Sequence, residues 1–174
     1  MNHDPSNTVN LDQYGHDPMP WSAVAARLQA ATAAGDDIFT VLGTVKPDGR
    51  PHAAPVGAMW IDGAWYVVSG SGTQKSRNLA NNPACTLSAR IPGADVVFSG
   101  DAHRVTDPEQ LEHVAEAYRR GGWPAEVEGD TFTAPYTAPS GGPAPWNLYR
   151  IECHQAVAVA TGESLNGATK WTFT

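Results

Sequence analysis

Short apolar blocks separated by Gly, Pro, Asp and Asn run through most of this chain, a pattern of brief strands joined by tight turns. Residues 1–17 are polar and rich in Asn, Asp and Pro, and they read as a loose arm. A helix then starts at Pro20-Trp21-Ser22, carries Val24, Leu28 and Ala31 on one face, and stops at Gly35. Residues 38–45 predict a strand, Lys46-Pro47-Asp48-Gly49 a turn, residues 51–60 a second strand, and Asp62-Gly63 a tight hairpin into a third at residues 64–68. These three strands are apolar on both faces, which suits the inside of a barrel or a sheet covered by other elements.

A Gly/Ser/Thr loop follows and opens a short helix over residues 75–81, which Pro83 ends. Residues 84–90 and 95–105 predict strands separated by the turn Ile91-Pro92-Gly93. Thr106-Asp107-Pro108-Glu109 is a capped helix start, and that helix runs to Arg120 before Gly121-Gly122. Residues 121–148 contain five prolines and five glycines together with Trp123, Phe132, Tyr136 and Trp146. The aromatic side chains suggest a segment that packs as a cover. A last strand is expected at residues 148–160, and residues 161–174 form a closing tail. The expectation is a mainly β fold with peripheral helices, in which six antiparallel strands close into a small barrel and remove sheet edges. Beyond the arm at 1–17, residues 18–174 form a single domain.

Composition narrows the function. A chain of 174 residues supports one core. The net charge of −7 argues against a general nucleic-acid binder, so the local pair Lys75 and Arg77 stands out. Two cysteines, Cys85 and Cys153, make neither a disulfide framework nor a CxxC metal motif, and both lie in strand-like stretches as inert thiols. His52, His103, His113 and His154 are scattered without metal spacing, and no catalytic dyad is visible. Asp36-Asp37 after Gly35 reads as a turn. No apolar run approaches a membrane span and the N-terminus is polar, which leads to the expectation of a cytoplasmic protein with no membrane partner.

The most informative stretch is SGSGTQKSRNLANNP, from Ser69 to Pro83, directly after a strand. Backbone N–H groups, the hydroxyls of Ser69, Ser71 and Thr73, and the cations Lys75 and Arg77 converge there on one small anion, and a phosphate is the natural candidate.

The succession PDGRPHAAPV, W-x-DG-x-WYVVS, KSRNLANNP and GDAHRV resembles the pyridoxamine 5′-phosphate oxidase-like split-barrel superfamily over residues 21–174. The aromatic tail ATKWTF is similar to that of its flavin/deazaflavin oxidoreductase B branch. The resemblance implies an FMN-binding split-barrel type of fold and a homodimer with a cofactor at the subunit interface. It implies a coenzyme F420-dependent oxidoreductase moving hydride to or from a small unsaturated or oxidised substrate. The alternatives are FMN as cofactor, or a non-catalytic dimer that binds a flavin, deazaflavin or tetrapyrrole. Lys75 and Arg77 would carry charge to the cofactor phosphate, with Ser69, Gly70, Ser71, Thr73, Ser76 and Asn78 around it. Pro55, Val56 and Gly57 would border the ring and Trp171 would lie near it. The chain departs from the pyridoxine-pathway enzymes at its end, where Lys170 in KWTFT replaces an Arg-rich substrate phosphate site.

Overall fold

One long strand organises the sheet, and the remaining strands are placed by what they pair with along it. The computed structural model describes residues 4–162 and 164–174; the first three residues of the expected arm and Glu163 of the expected tail lie outside the described residues. In chain order the elements are β1 (Asn7–Asn10), α1 (Trp21–Ala34), β2 (Thr40–Val45), β3 (Pro51–Val56), β4 (Ala58–Ile61), β5 (Ala64–Gly70) and α2 (Gln74–Asn81). They continue with β6 (Ala84–Ile91), β7 (Ala94–Val105), α3 (Pro108–Arg120), β8 (Glu126–Glu128), β9 (Thr131–Thr133), a 3-10 turn at Pro139–Gly141, β10 (Trp146–Ala160) and β11 (Ala168–Thr172).

The pairings are antiparallel, in the order β1-β11-β10-β7-β6-β2-β3. Along one edge β10 pairs with β7 from Leu148 to Ala160. Its other edge is shared: β5 takes Trp146 to Ile151 and β11 takes Gln155 to Val159. The two partners part where a register shift between Cys153 and Gln155 breaks the ladder. This divergence splits the barrel, and the mainly β split-barrel architecture is the one expected from the sequence.

The strand count differs from the six expected. Residues 51–60 do not form one strand. The chain leaves β2 at Val56, passes Gly57 and pairs with β5 as β4, so the two halves serve different neighbours. The hairpin between β4 and β5 turns through Asp62 (φ 49°) and Gly63 (φ 81°), the left-handed geometry that Asp-Gly tolerates best. The polar arm contributes β1, which lies on β11 from Asn7↔Thr172 to Asn10↔Thr169. An exposed edge strand needs backbone partners rather than apolar side chains, so its sequence carries no strand signal. The tail supplies β11, with Thr169 and Trp171 turned inward.

Two apolar clusters fill the interior. The larger joins Trp21, Val24, Ala25 and Leu28 of α1 to Trp60, Trp65, Leu87, Phe98 and Trp171 on the inner face of the sheet. α1 ends as expected, on Gly35 at φ 72°, whose N–H closes on Thr32 O. The smaller cluster sets Leu111, Val114 and Tyr118 of α3 against Tyr66, Phe132, Trp146 and Leu148. Residues 121–148 therefore pack as a cover, because Phe132 and Trp146 are buried in that second cluster.

The other face of the large sheet is mixed, with small and β-branched residues standing beside Lys170, Gln155 and the Arg90–Asp95 ion pair at 2.8 Å. Cross-strand register lines up Val9, Lys170, Val157, Val97, Ser88, Val41 and Pro55 in a single lateral row. Val97 is 41% exposed and Val159, on the same face, 51%.

Candidate functional site: an anion loop beside an aromatic-walled cavity

β5 ends at Gly70 and α2 begins four residues later, so the chain must turn within Ser71, Gly72 and Thr73. Thr73 caps α2: its side chain accepts from the Ser76 N–H at 3.3 Å. The hydroxyls then lock one another, with Ser69 Oγ 2.8 Å from Thr73 Oγ1 and Ser76 Oγ donating to Ser69 Oγ at 3.0 Å. Asn78, fully buried, ties the helix to the sheet by donating to Thr44 Oγ1 at 2.9 Å and accepting from Gln74 Nε2 at 2.7 Å. The loop is thereby preorganised. Ser71 and Gly72 at its crest are exposed.

The two cations behave differently. Arg77 is exposed, donating from Nη1 to Gly72 O and from Nη2 to Gln74 Oε1 at 3.1 Å, so its guanidinium buttresses the loop. Lys75 is only 3% exposed, and its ammonium donates to the backbone carbonyl of Ser140. No carboxylate pairs with it among the described residues. Burial holds its pKa below the ordinary lysine value. An ammonium has three donors, so a buried one facing a single neutral carbonyl is a strong attractor for an anion.

Ser140 also lines a cavity of about 410 Å³, within the size range of small-molecule sites. Its walls come from the C-terminal end of α1, the β3–β4 junction at Val56, Gly57 and Met59, and the cover segment with Trp123 and Tyr136. The aromatic wall is braced internally: Trp123 Nε1 donates to Tyr136 O at 2.6 Å, and the Tyr136 hydroxyl donates to Gly122 O at 3.1 Å. The cover also lies on the anion loop. A Cβ on Gly70 would stand 2.9 Å from Pro143 O, and one on Gly142 would stand 2.9 Å from Thr73 Cγ2. Only glycine allows backbone to approach this closely.

The expected site residues thus divide. Ser69, Gly70, Ser71, Thr73, Lys75, Ser76, Arg77 and Asn78 gather at one loop, although the side chains of Ser76 and Asn78 serve the loop's own hydrogen bonds. Val56 and Gly57 line the cavity, while Pro55, next to them in β3, is exposed outside its lining. Trp171, expected near the ring, stands apart from them on β11. β11 turns it into the core, fully buried beside Trp21 at 5.5 Å between ring centroids, with Nε1 unpartnered among the described residues. The strand's alternation decides this, since Lys170 and Thr172 take the outer face.

Ser140 and the carboxylates Asp36 and Asp37 join the cavity without having been singled out for it, beside Trp123 and Tyr136 of the aromatic segment. The aromatic cover was legible as a segment, but Ser140 meets Lys75 across 65 residues and no local pattern marks that pairing. Among the described residues no cluster of His, Cys, Asp and Glu could hold a metal ion. Cys85 is buried and its thiol is pushed up to about 12, an inert group as expected. No helix among the described residues is long and apolar enough to cross a membrane.

The sequence model of the pyridoxamine 5′-phosphate oxidase family matches residues 28–135. Among solved structures, a heme binding protein from Mycobacterium smegmatis superposes with a TM-score of 0.58 at 18% identity, over 85% of this chain and 57% of that one. The chain therefore spans little more than half the length of that relative. A putative pyridoxamine 5′-phosphate oxidase from Listeria innocua gives 0.52 at 20% identity, over 76% of this chain and 95% of that one. An F420 reductase gives 0.50 at 20% identity, over 72% and 94%. At these identities the likeness is one of fold. No curated protein matches the chain. The family match covers more than half of the sequence and spans the candidate loop and the strands beside it, and on that ground the chain belongs to the pyridoxamine 5′-phosphate oxidase family of the split-barrel superfamily.

Proposed function

We propose that this protein is a coenzyme F420-dependent oxidoreductase that transfers hydride between a bound deazaflavin and a small unsaturated or oxidised organic molecule. The observation that carries the reading is Lys75, a buried ammonium without a carboxylate partner among the described residues, set under a loop of hydroxyls and backbone N–H groups. These residues suit a phosphate: Lys75 supplies the charge, Ser71 and Gly72 present the open crest, and Arg77 braces it. Val56 and Gly57 would offer backbone to the edge of the ring. The bound cofactor itself would supply the hydride chemistry, which explains why no acid–base dyad is needed. Trp123 and Tyr136 would keep water from the reacting face, and Val56 and Met59 would hold the acceptor flat against it.

The phosphate grip alone is insufficient. Micromolar affinity needs about 8 kcal/mol. A charge-assisted bond contributes about 1.5–3 kcal/mol, and a helix N-terminus about 0.3–1 kcal/mol. Ring burial must supply much of the rest, which favours a second subunit closing over the ring. We assign the homodimer interface to the outer face of the large sheet, where Val97, Val157 and Val41 stand in one lateral row.

FMN is the alternative cofactor, because the same loop would serve its ribityl phosphate and the matching family carries the oxidase's description. The deciding experiment is a parallel fluorescence titration of the protein with F420 and FMN, for wild type and Lys75→Ala. Selective F420 binding that weakens tenfold or more in the variant, about 1.4 kcal/mol, supports the proposal. Preference for FMN transfers the reading to that cofactor. Tight binding without turnover of any acceptor makes the protein a carrier, and binding of neither overturns the redox reading.

A further inference from the structure

The cavity beside the anion loop carries a charge of one sign. Asp36 and Asp37 line it, and among the described residues no Lys, Arg or His does. Both aspartates follow directly on the end of α1, where Gly35 N–H closes on Thr32 O at 3.1 Å and Asp36 N–H on Ala31 O at 2.9 Å. The last turn of α1 contains no basic residue, so the negative end of the helix dipole is uncompensated from within the helix. The rest of the wall is largely apolar, with Trp123, Tyr136, Met59 and Val56, and its polar members Thr32, Thr137 and Ser140 are uncharged. Lys75, the buried cation among the described residues, donates to the backbone carbonyl of Ser140 and lies outside the cavity lining.

From this asymmetry we infer that the cavity selects its substrate by charge, taking planar, largely apolar molecules that are neutral or cationic and rejecting carboxylated or sulfonated ones. The inference deepens the proposed oxidoreductase reading and rests on it for the word substrate; the selectivity itself is a property of the cavity. Two carboxylates and a helix C-terminus around an apolar slot raise the local concentration of cations and lower that of anions. Against the exposed carboxylates of Asp36 and Asp37, the described side chains that line the slot offer an anion only neutral hydroxyls, those of Thr32, Thr137 and Ser140 among them, and no cation. A tetrapyrrole with propionate arms or an aromatic dicarboxylate is therefore disfavoured, while an uncharged quinone, an enone or a heteroaromatic cation fits.

The test uses one naphthoquinone ring in three forms: unsubstituted, bearing a sulfonate, and bearing a trimethylammonium group. Each is titrated against the protein by quenching of tryptophan fluorescence, in the wild type and in Lys75→Met, which withdraws the cation that could attract a sulfonate. At low salt the ammonium form is expected to bind about ten-fold tighter than the sulfonate in both backgrounds, with the neutral form between them. The ratio should fall to about two-fold at roughly 0.5 M salt, where surface charges are screened. It should fall likewise in Asp36→Asn/Asp37→Asn, whose binding of the neutral form should stay unchanged. A sulfonate that binds as tightly as the ammonium form, a ratio indifferent to the double variant, or failure of all three probes to bind overturns the inference. Because the probes are read without cofactor, a protein that binds neither F420 nor FMN yet keeps the charge ratio would refute the oxidoreductase reading alone.

Discussion

The ammonium of Lys75 donates to the backbone carbonyl of Ser140, joining the first turn of α2 to the cover segment. The contact fixes the cover over the anion loop, and it occupies the group that a phosphate would need. Loop, cover and cavity thus share a single charged pivot.

That pivot opposes stability in the absence of ligand. Burial lowers the Lys75 pKa, so the unfolded chain holds its proton more firmly than the fold does. Below the folded pKa the cost of the buried charge is fully present, and it fades as pH rises from there towards the ordinary lysine value. Lys75→Met is expected to melt at a higher temperature than wild type near neutral pH, with the gap closing as pH climbs through that window. Calorimetry across a pH series reads it. The same variant should lose cofactor affinity tenfold or more.

Phosphate binding should exchange the partner of Lys75. As Nζ turns to the ligand, Ser140 and Gly141 lose their hold on the loop. Hydrogen exchange followed by mass spectrometry is expected to show faster exchange in the 138–143 peptide and slower exchange at 70–75 when cofactor binds. Slowing of both peptides would mean that the cover stays closed over the ligand.

Trp171 is a core residue by its burial and by its contact with Trp21. Trp171→Ala should cost about 3–5 kcal/mol of folding stability, the usual range for a large aromatic truncated in a core. At a temperature where the variant is still folded, its cofactor dissociation constant should match that of wild type. Denaturant titration and fluorescence binding separate the two effects.

The proposed dimer on the outer sheet face would be sensitive to a charge introduced at Val97. Val97→Lys should convert a dimer to a monomer in analytical ultracentrifugation and reduce cofactor affinity with it, because the ring loses its second wall. Thermal stability of the separated subunit should change little, since Val97 is 41% exposed there.

Much of this protein follows from local chemistry alone. The helix from Trp21 to its left-handed Gly35 stop, the Asp62-Gly63 hairpin, the capped α3 and the loop ahead of α2 are set by neighbours within a few residues, and dihedral preference and capping act at that range. Those same local rules gathered Ser69 to Asn78 into one hydrogen-bonded loop and helix start. Tertiary structure decided what depends on partners distant in sequence. The break at Gly57 exists because β3 and β4 answer to different strands, and β1 exists because β11 offers it a free edge. Trp171 went to the core through the register of β11 on β10. Lys75 found Ser140, and Asp36 and Asp37 came to line one cavity with Trp123 and Tyr136, only when the cover closed. Apolar burial is non-directional, so it told the chain that residues 121–148 must pack; the geometry of the finished sheet chose against what.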